Sequence, residues 1–143
     1  EETMLIGEYL SEAQDETTAT THVSDNVIDM GVAGLRMDTE LHFVFRVTTA
    51  IVSAGGGTLQ IQIVTSAAAA LSAATVLWDS GTIANATIVA WTANSVPYYD
   101  IAVRYGGTLL QYLGAIYTIG TDVFTAGAWD LFTVYGKPPN PML

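Results

Sequence analysis

Hydrophobic and polar residues alternate with a period of two in three segments of the chain. The segments are LHFVFRVT at 41–48, TLQIQIV at 58–64 and YYDIAVRY at 98–105. Successive side chains of a strand point to opposite faces of a sheet, so this alternation predicts three half-buried strands. In the third segment the predicted inward row is Tyr99, Ile101, Val103 and Tyr105, opposite Asp100 and Arg104.

Five further segments have strand-like composition but a less regular phase. They are HVSDNVIDM at 22–30, TVLWDS at 75–80, ATIVAWT at 86–92, LLQYLGAIYTI at 109–119 and AWDLFTVYG at 128–136. The last two carry apolar side chains on both faces, which predicts burial on both sides. Glycine-rich turns separate the segments, and the glycines at 55–57 predict a hairpin turn.

About eight to ten short strands are typical of an all-β protein. The predicted fold is a jelly-roll-like antiparallel β-sandwich or barrel. The alanine-rich segment 66–74 is the one helical candidate, and either one or two helical turns or a loop packed against a neighbour fits it.

The two ends of the chain differ from its middle. Residues 12–21 are acidic and threonine-rich without a strand pattern, and the tail KPPNPML contains three of the four prolines. These features predict a single β domain over 1–143, with extended arms at about 1–22 and 136–143 that become ordered on binding. Frayed termini are the alternative.

Charge and cysteine content narrow the classes of function. Four Lys and Arg against fourteen Asp and Glu give a net charge of -10, which opposes binding to nucleic acid and to anionic membranes. The chain has no cysteine, so disulfides and thiolate metal sites are excluded. Charged residues make up 13% of the chain, well below the ~25% that is usual, which predicts a surface covered by other copies in an obligate oligomer.

Candidate catalytic and metal-binding groups are sparse. His22 and His42 are the only histidines, too few for a three-histidine zinc site, and are predicted to lie on the surface. The pairs Asp25 with Asp29 and Asp38 with Glu40 are predicted to be solvated turn carboxylates, with calcium binding as the alternative. No nucleophile elbow and no phosphate-binding loop is present. We therefore expect neither an enzyme nor a cofactor.

The three tryptophans suggest where partners bind. Trp78 and Trp129 each precede an aspartate in a strand-like context, which favours core packing or a protein interface. Trp91 lies between polar neighbours and is the candidate interface tryptophan. The tail supplies the other candidate interface residues, namely Lys137, Pro138, Pro139 and Pro141.

Several segments together resemble the capsid cement proteins of tailed bacteriophages, related to that of a Bordetella podovirus. They are NVIDMGVAG at 26–34, ELHFVFRVTTAI at 40–51, GGGTLQIQIVTS at 55–66, VLWDSGTI at 76–83 and DVFTAGAWDLF at 122–132. The resemblance implies a jelly-roll-like fold and homotrimers on the outer surface of the virion, where they bind the major capsid protein. It carries over no catalytic residue.

We therefore expect a capsid cement or decoration protein, made in the cytoplasm of the bacterial host. As such it stabilises contacts between major capsid protein subunits and binds neither nucleic acid nor membrane. The alternative is a carbohydrate- or receptor-binding β-sandwich of a phage fibre or surface adhesin, which requires an exposed aromatic patch with polar groups beside it.

Overall fold

The computed structural model describes residues 6–31, 35–36, 41–103 and 108–134. These ranges contain eleven strands and one short helix: β1 (Ile6–Gln14), β2 (Thr21–Val23), β3 (Ile28–Asp29), β4 (Leu35–Arg36), β5 (Leu41–Val52), β6 (Thr58–Ser66), β7 (Thr75–Ile83), α1 (Asn85–Ile88), β8 (Tyr98–Val103), β9 (Thr108–Leu109), β10 (Tyr112–Gly120) and β11 (Ala126–Val134). Within this part of the chain, no helix is long and apolar enough to cross a membrane.

The strands form two main antiparallel sheets. A four-stranded sheet has the order β1-β11-β5-β8, and a five-stranded sheet has the order β2-β10-β6-β7, with β3 also paired to β10. The antiparallel pairs β1–β11, β2–β10, β5–β8 and β6–β7 are nested in the chain, as in one long hairpin that has been rolled up. This nesting is the strand order of a jelly roll. The predicted all-β sandwich is confirmed, and it is not a closed barrel.

The core lies between the two sheets and follows the alternation in the sequence. The inward rows of β5 and β6 are fully buried and pack against the inward rows of β10 and β11, as the period of two predicts. The core includes Phe43, Phe45, Val47, Leu59, Ile61, Ile63, Tyr117, Ile119, Trp129 and Leu131. On β11, Phe132 and Val134 are buried on the opposite face, so the predicted burial on both sides of this strand is confirmed.

Strand β1 occupies part of the segment that was predicted to be an N-terminal arm. Residues 6–14 pair with β11 along the edge of the four-stranded sheet, and Leu10 is fully buried. The register of this pairing shifts three times between Ile6 and Gln14. An irregular strand with polar inward residues lacks the period-two signature, which explains why the pattern did not reveal it.

At the start of β8 the predicted phase is wrong by one residue. The β5–β8 register shifts between Phe43 and Phe45, so Tyr98 takes the inward position beside Phe45 and Tyr99 joins the cluster on the outer face. Asp100 has a φ of 63°, consistent with a local irregularity in the strand. Ile101 and Val103 are inward, as predicted, whereas Arg104 and Tyr105 lie outside the described residues.

Two segments differ from their predictions, and a third resolves an alternative that the sequence leaves open. The glycines at 55–57 join β5 to β6, which lie in different sheets, so this turn is not a hairpin. A Cβ on Gly57 would lie 2.6 Å from the backbone oxygen of Asp122, so the turn needs a glycine there. Residues 67–74 form turns, so of the two alternatives for the alanine-rich segment 66–74 the helix is ruled out. The strand predicted at 86–92 is wrong. Its first residues belong to the short helix α1, and Ile88 of that helix is fully buried in the core.

Candidate interaction surface

The predicted interface residue Trp91 lies in an aromatic cluster beside β7 and β8. Its ring is 6.1 Å from that of Phe45 and 6.3 Å from that of Tyr98, both in edge-on arrangements. Trp78 meets Tyr98 at 5.5 Å with an interplanar angle of 78°. These half-buried rings pack against one another rather than presenting a shared flat face to solvent, which is what stacking on a sugar requires.

The other tryptophan and the tail complete the account of the predicted interface. Trp129 is fully buried, and its ring packs 5.2 Å from that of Tyr117, so core packing is confirmed for this residue. Lys137, Pro138, Pro139 and Pro141 lie outside the described residues, and their predicted contact with a partner stays a prediction.

The two histidines are paired with carboxylates rather than free on the surface. His22 Nδ1 lies 2.9 Å from Glu16 Oε2, and the His22 side chain is only 14% exposed. His42 Nδ1 bonds Asp100 across the β5–β8 pair, and its side chain is 12% exposed. Both histidines are thus partly exposed, and each has a carboxylate partner that the sequence analysis did not predict.

Of the two predicted carboxylate pairs, one falls on described residues. Asp25 and Asp29 are both exposed, as predicted for turn carboxylates, whereas Asp38 and Glu40 lie outside the described residues. Burial, and then repulsion by Glu16, raises the pKa of Asp25. In the ranges that the structure describes, no group of three potential ligands could hold a metal ion.

A buried polar network joins the two sheets where β1 ends. The Ser11 hydroxyl donates to Gln14 Oε1 at 2.5 Å and shares a 2.6 Å hydrogen bond with the Tyr117 hydroxyl on β10. Gln14 Nε2 donates to the carbonyl oxygen of Val23 on β2. Complete burial raises the pKa of Tyr117 far above its usual range, so its hydroxyl stays protonated and able to donate. The network fastens the edge of one sheet to the other.

Arg46 and Asp130 form an ion pair on the outer face of the four-stranded sheet. Both Nε and Nη2 of Arg46 donate to Asp130 Oδ2, and Asp130 Oδ1 accepts the backbone N–H of Ala13. The hydrogen bond from Arg46 to Asp130 raises the pKa of Arg46. The guanidinium also lies 5.3 Å from the centre of the Phe132 ring, a cation–π contact. Both charges are thus satisfied within the chain.

The outer face of the five-stranded sheet has a different character. Cross-strand pairing places nine side chains on one surface, which we call the Asp79 platform: Thr21, Val23, Gln60, Gln62, Val76, Asp79, Thr82, Ile116 and Thr118. Among these nine, Asp79 alone is charged. Val23 and Val76 are 45% and 44% exposed, so apolar surface faces solvent beside uncharged polar groups.

Neutral donors hold the Asp79 carboxylate in place. Gln60 Nε2 donates to both of its oxygens at 2.9 and 3.1 Å, and Gln62 Nε2 donates to Oδ2 at 3.0 Å. The backbone N–H of Gly81 donates to Oδ1 at 2.7 Å. Partial burial raises the pKa of Asp79, but these hydrogen bonds outweigh it and keep the pKa below its ordinary value. Asp79 is therefore a fixed, ionised group on an otherwise uncharged surface.

Two features border this part of the five-stranded sheet. The loop 67–74 covers one end of its outer face, where Leu71 is 3% exposed and a Cβ on Gly114 would lie 2.6 Å from Leu71 Cδ1. Beyond that loop, a groove of about 580 Å³ lies between β1 and β3 and is lined by Glu8, Tyr9, Asn26, Val27, Ile28 and Asp29. Both features lie outside the Asp79 platform.

Sequence reasoning missed the platform as a unit. The alternation in TLQIQIV did show that Gln60 and Gln62 face outward. It gave no information on which residue of β7 lies beside them, because that depends on the register of the β6–β7 pair and on its shift between Gln60 and Gln62.

Comparison with known proteins identifies a phage family. A family model described as Bbp16, the name of a Bordetella phage protein family, matches residues 10–133. No curated protein matches the chain. The matched region runs from β1 to β11 and so includes both sheets and the Asp79 platform. The resemblance seen in the sequence is thereby confirmed at the level of the family, and the chain belongs to the Bbp16 family of Bordetella phage proteins.

Proposed function

We propose that this chain is a capsid cement protein. It binds the outer surface of a bacteriophage head as a homotrimer and stabilises the contacts between major capsid protein subunits. It performs no catalysis. The observation that carries the proposal is membership of a phage protein family over residues 10–133, which include both sheets of the sandwich.

The fold suits a part that must keep its shape under load. The Ser11–Gln14–Tyr117 network and the fully buried core tie the two sheets together. A rigid body can contact several capsid subunits at once. A subunit that leaves the shell must then break its contacts with this body as well as its contacts with neighbouring subunits. Because many copies act on one shell, modest binding energy per copy produces a large combined effect.

The charge distribution supports a position outside the head. A net charge of -10 is repelled by packaged DNA, whereas the outer surface imposes no such repulsion. A charged fraction of only 13%, together with exposed valines on the Asp79 platform, supports surfaces that partners cover. The trimer would use part of that surface and the capsid another part.

Binding to heads that lack the chain tests the proposal. Purified chain is added to such heads, the mixture is sedimented, and the temperature at which the heads release DNA is compared with that of untreated heads. We expect the chain to sediment with the heads and to raise the temperature of DNA release. Light scattering of the purified protein without heads should show a trimer. Chain that stays in the supernatant and leaves the release temperature unchanged would contradict the proposal.

A further inference from the structure

The Asp79 platform combines exposed apolar side chains with one fixed carboxylate. Apart from Asp79, its side chains are either apolar or polar without charge, and Val23 and Val76 are nearly half exposed. Hydrogen bonds from Gln60 and Gln62 fix the carboxylate of Asp79. The donors to Asp79 are amides, which orient the carboxylate without cancelling its charge. By contrast, the Asp130 carboxylate already has its cation in Arg46. The charge of Asp79 is left for something outside the described part of the chain.

Preorganisation lowers the cost of covering Asp79. A carboxylate that loses water on binding must replace the lost hydrogen bonds, and an uncompensated buried charge is costly. The bonds from Gln60, Gln62 and Gly81 remain when a partner covers the sheet, so only the charge itself needs an opposite charge. The platform is thus complementary to one cationic side chain surrounded by uncharged ones.

We propose that the Asp79 platform is the face that docks on another protein, which places an arginine or lysine side chain over Asp79 and apolar residues over Val23, Val76 and Ile116. This inference rests on the proposed function for the identity of that partner, which is then the major capsid protein. The apolar contacts supply area, and the charge pair fixes the orientation of the docked chain.

A second copy of this chain fits the platform poorly. A two-fold contact of the platform with itself would bring two Asp79 carboxylates towards each other, and like charges that face across an interface are destabilising. The chain has only four lysines and arginines against fourteen acidic residues, and Arg46 is engaged by Asp130. We infer that the occupant is a different protein with positive charge at the contact; a head-to-tail contact between copies, as in a cyclic trimer, would instead change the chain number of the Asp79 variants.

Asp29 provides a matched control on the same sheet. Like Asp79, it accepts a hydrogen bond from a glutamine side chain, Gln111, and from the N–H of the glycine two residues later, Gly31. These hydrogen bonds lower the pKa of Asp29, and desolvation opposes them. Asp29 lies on β3, beyond the loop that carries Leu71, so it shares the chemistry of Asp79 but not its place on the platform.

The experiment compares Asp79→Asn, Asp79→Lys and Asp29→Asn with the wild-type chain in sedimentation with heads that lack it. We expect Asp79→Asn to weaken binding about 10- to 100-fold per contact, because it removes a charge-assisted hydrogen bond to the cation of the partner. Asp79→Lys should bind more weakly still, and Asp29→Asn should bind like wild type. Melting temperature and light scattering of each free variant establish that fold and chain number are unchanged.

Each outcome distinguishes this inference from the proposed function. If wild type does not bind heads at all, the proposed function fails. If wild type binds and the Asp79 variants bind equally well, only the docking face is overturned. Equal weakening by Asp29→Asn would mean that total charge matters rather than the platform, and a changed chain number in an Asp79 variant would mean that the platform joins copies of the chain. Both results overturn the docking inference.

Discussion

The outer faces of the two sheets differ in what covers them. On the four-stranded sheet, Val44, Phe132 and Val134 are 1%, 0% and 6% exposed, with Tyr9 and Tyr99 packed against them. On the five-stranded sheet, Val23 and Val76 of the Asp79 platform are 45% and 44% exposed. Similar apolar residues thus lie inside a second small core on one sheet and at a free surface on the other.

The carboxylates on the two faces show the same difference. Asp130 is nearly buried and bonds Arg46, whereas Asp79 is exposed and, among the described residues, bonds only neutral donors. A buried carboxylate needs a cation nearby, and an exposed one does not. The comparison teaches that the four-stranded sheet has satisfied its outer face within the chain, and that the Asp79 platform has not.

The largest expected effect on the free energy of unfolding comes from replacing one of these two carboxylates, Asp130. Asp130→Asn keeps the size of the side chain but removes the charge that Arg46 and the N–H of Ala13 share. We expect a loss of about 2–4 kcal/mol in the free energy of unfolding, somewhat below the cost of breaking a fully buried pair because Arg46 retains access to water. Asp79→Asn should change it by less than about 0.5 kcal/mol.

Urea denaturation at a fixed protein concentration measures both changes, since concentration affects the apparent stability of an oligomer. Equal losses in the two variants would show that the Arg46 pair is no more important to the fold than the exposed carboxylate. In that case the contrast between the two faces would not hold.

The second prediction uses a pair of identical substitutions. Val44→Ala removes two methyl groups from a side chain that is 1% exposed, and Val76→Ala removes them from one that is 44% exposed. We expect losses of about 2–3 kcal/mol for Val44→Ala, because a cavity remains beside Phe132, and below about 0.5 kcal/mol for Val76→Ala. Thermal melting of the two variants side by side measures the difference, and a Val76→Ala loss as large as that of Val44→Ala would mean that the platform is covered within the protein.

The fold could be predicted where local pattern decides it. In 41–48 and 58–64 the alternation alone identifies the strands and their inward faces, because burial on one side of a pleated strand requires it. The assignment failed at Tyr99, where a register shift moved the phase by one residue, and at residues 6–14, where Ser11 and Gln14 face a buried tyrosine of another strand. Such inward polar residues are satisfied only by partners distant in sequence.

The interaction surface was less predictable than the fold. Trp91 is the interface tryptophan that the sequence predicts; its ring packs on Phe45 and Tyr98, and its contact with a partner stays a prediction. The outward glutamines of β6 were visible in the sequence, but their significance comes from Asp79, which is far along the chain and beside them only in the folded register. Pairing across strands is a property of the whole sheet, and a single sequence does not contain it in readable form.

The smallest expected effect concerns the ionisation of Asp79. Its pKa lies below the ordinary 3.8, since the hydrogen bonds from Gln60, Gly81 and Gln62 outweigh its partial desolvation. Ionised Asp79 therefore contributes to the free energy of unfolding. This contribution is fully present above the pKa of Asp79 in the unfolded chain, and it is lost as the pH falls through the lower pKa of the folded protein. NMR titration of the side-chain carboxyl carbon should show this low pKa directly.

Removing the amides should reverse the shift. Gln60→Ala with Gln62→Ala should raise the Asp79 pKa, whereas Gln111→Ala, which removes a hydrogen bond from Asp29, should leave it unchanged. An Asp79 pKa that does not respond to the double variant would mean that neutral donors do not fix this carboxylate. If the Asp79 pKa does respond, the same double variant should also weaken docking. Without the hydrogen bonds from Gln60 and Gln62, the Asp79 carboxylate is no longer held in one orientation, and its desolvation on docking costs more free energy. The same hydrogen bonds would then affect the free energy of unfolding only slightly and docking strongly. This difference is expected for a surface that is organised to bind a partner rather than to stabilise the fold.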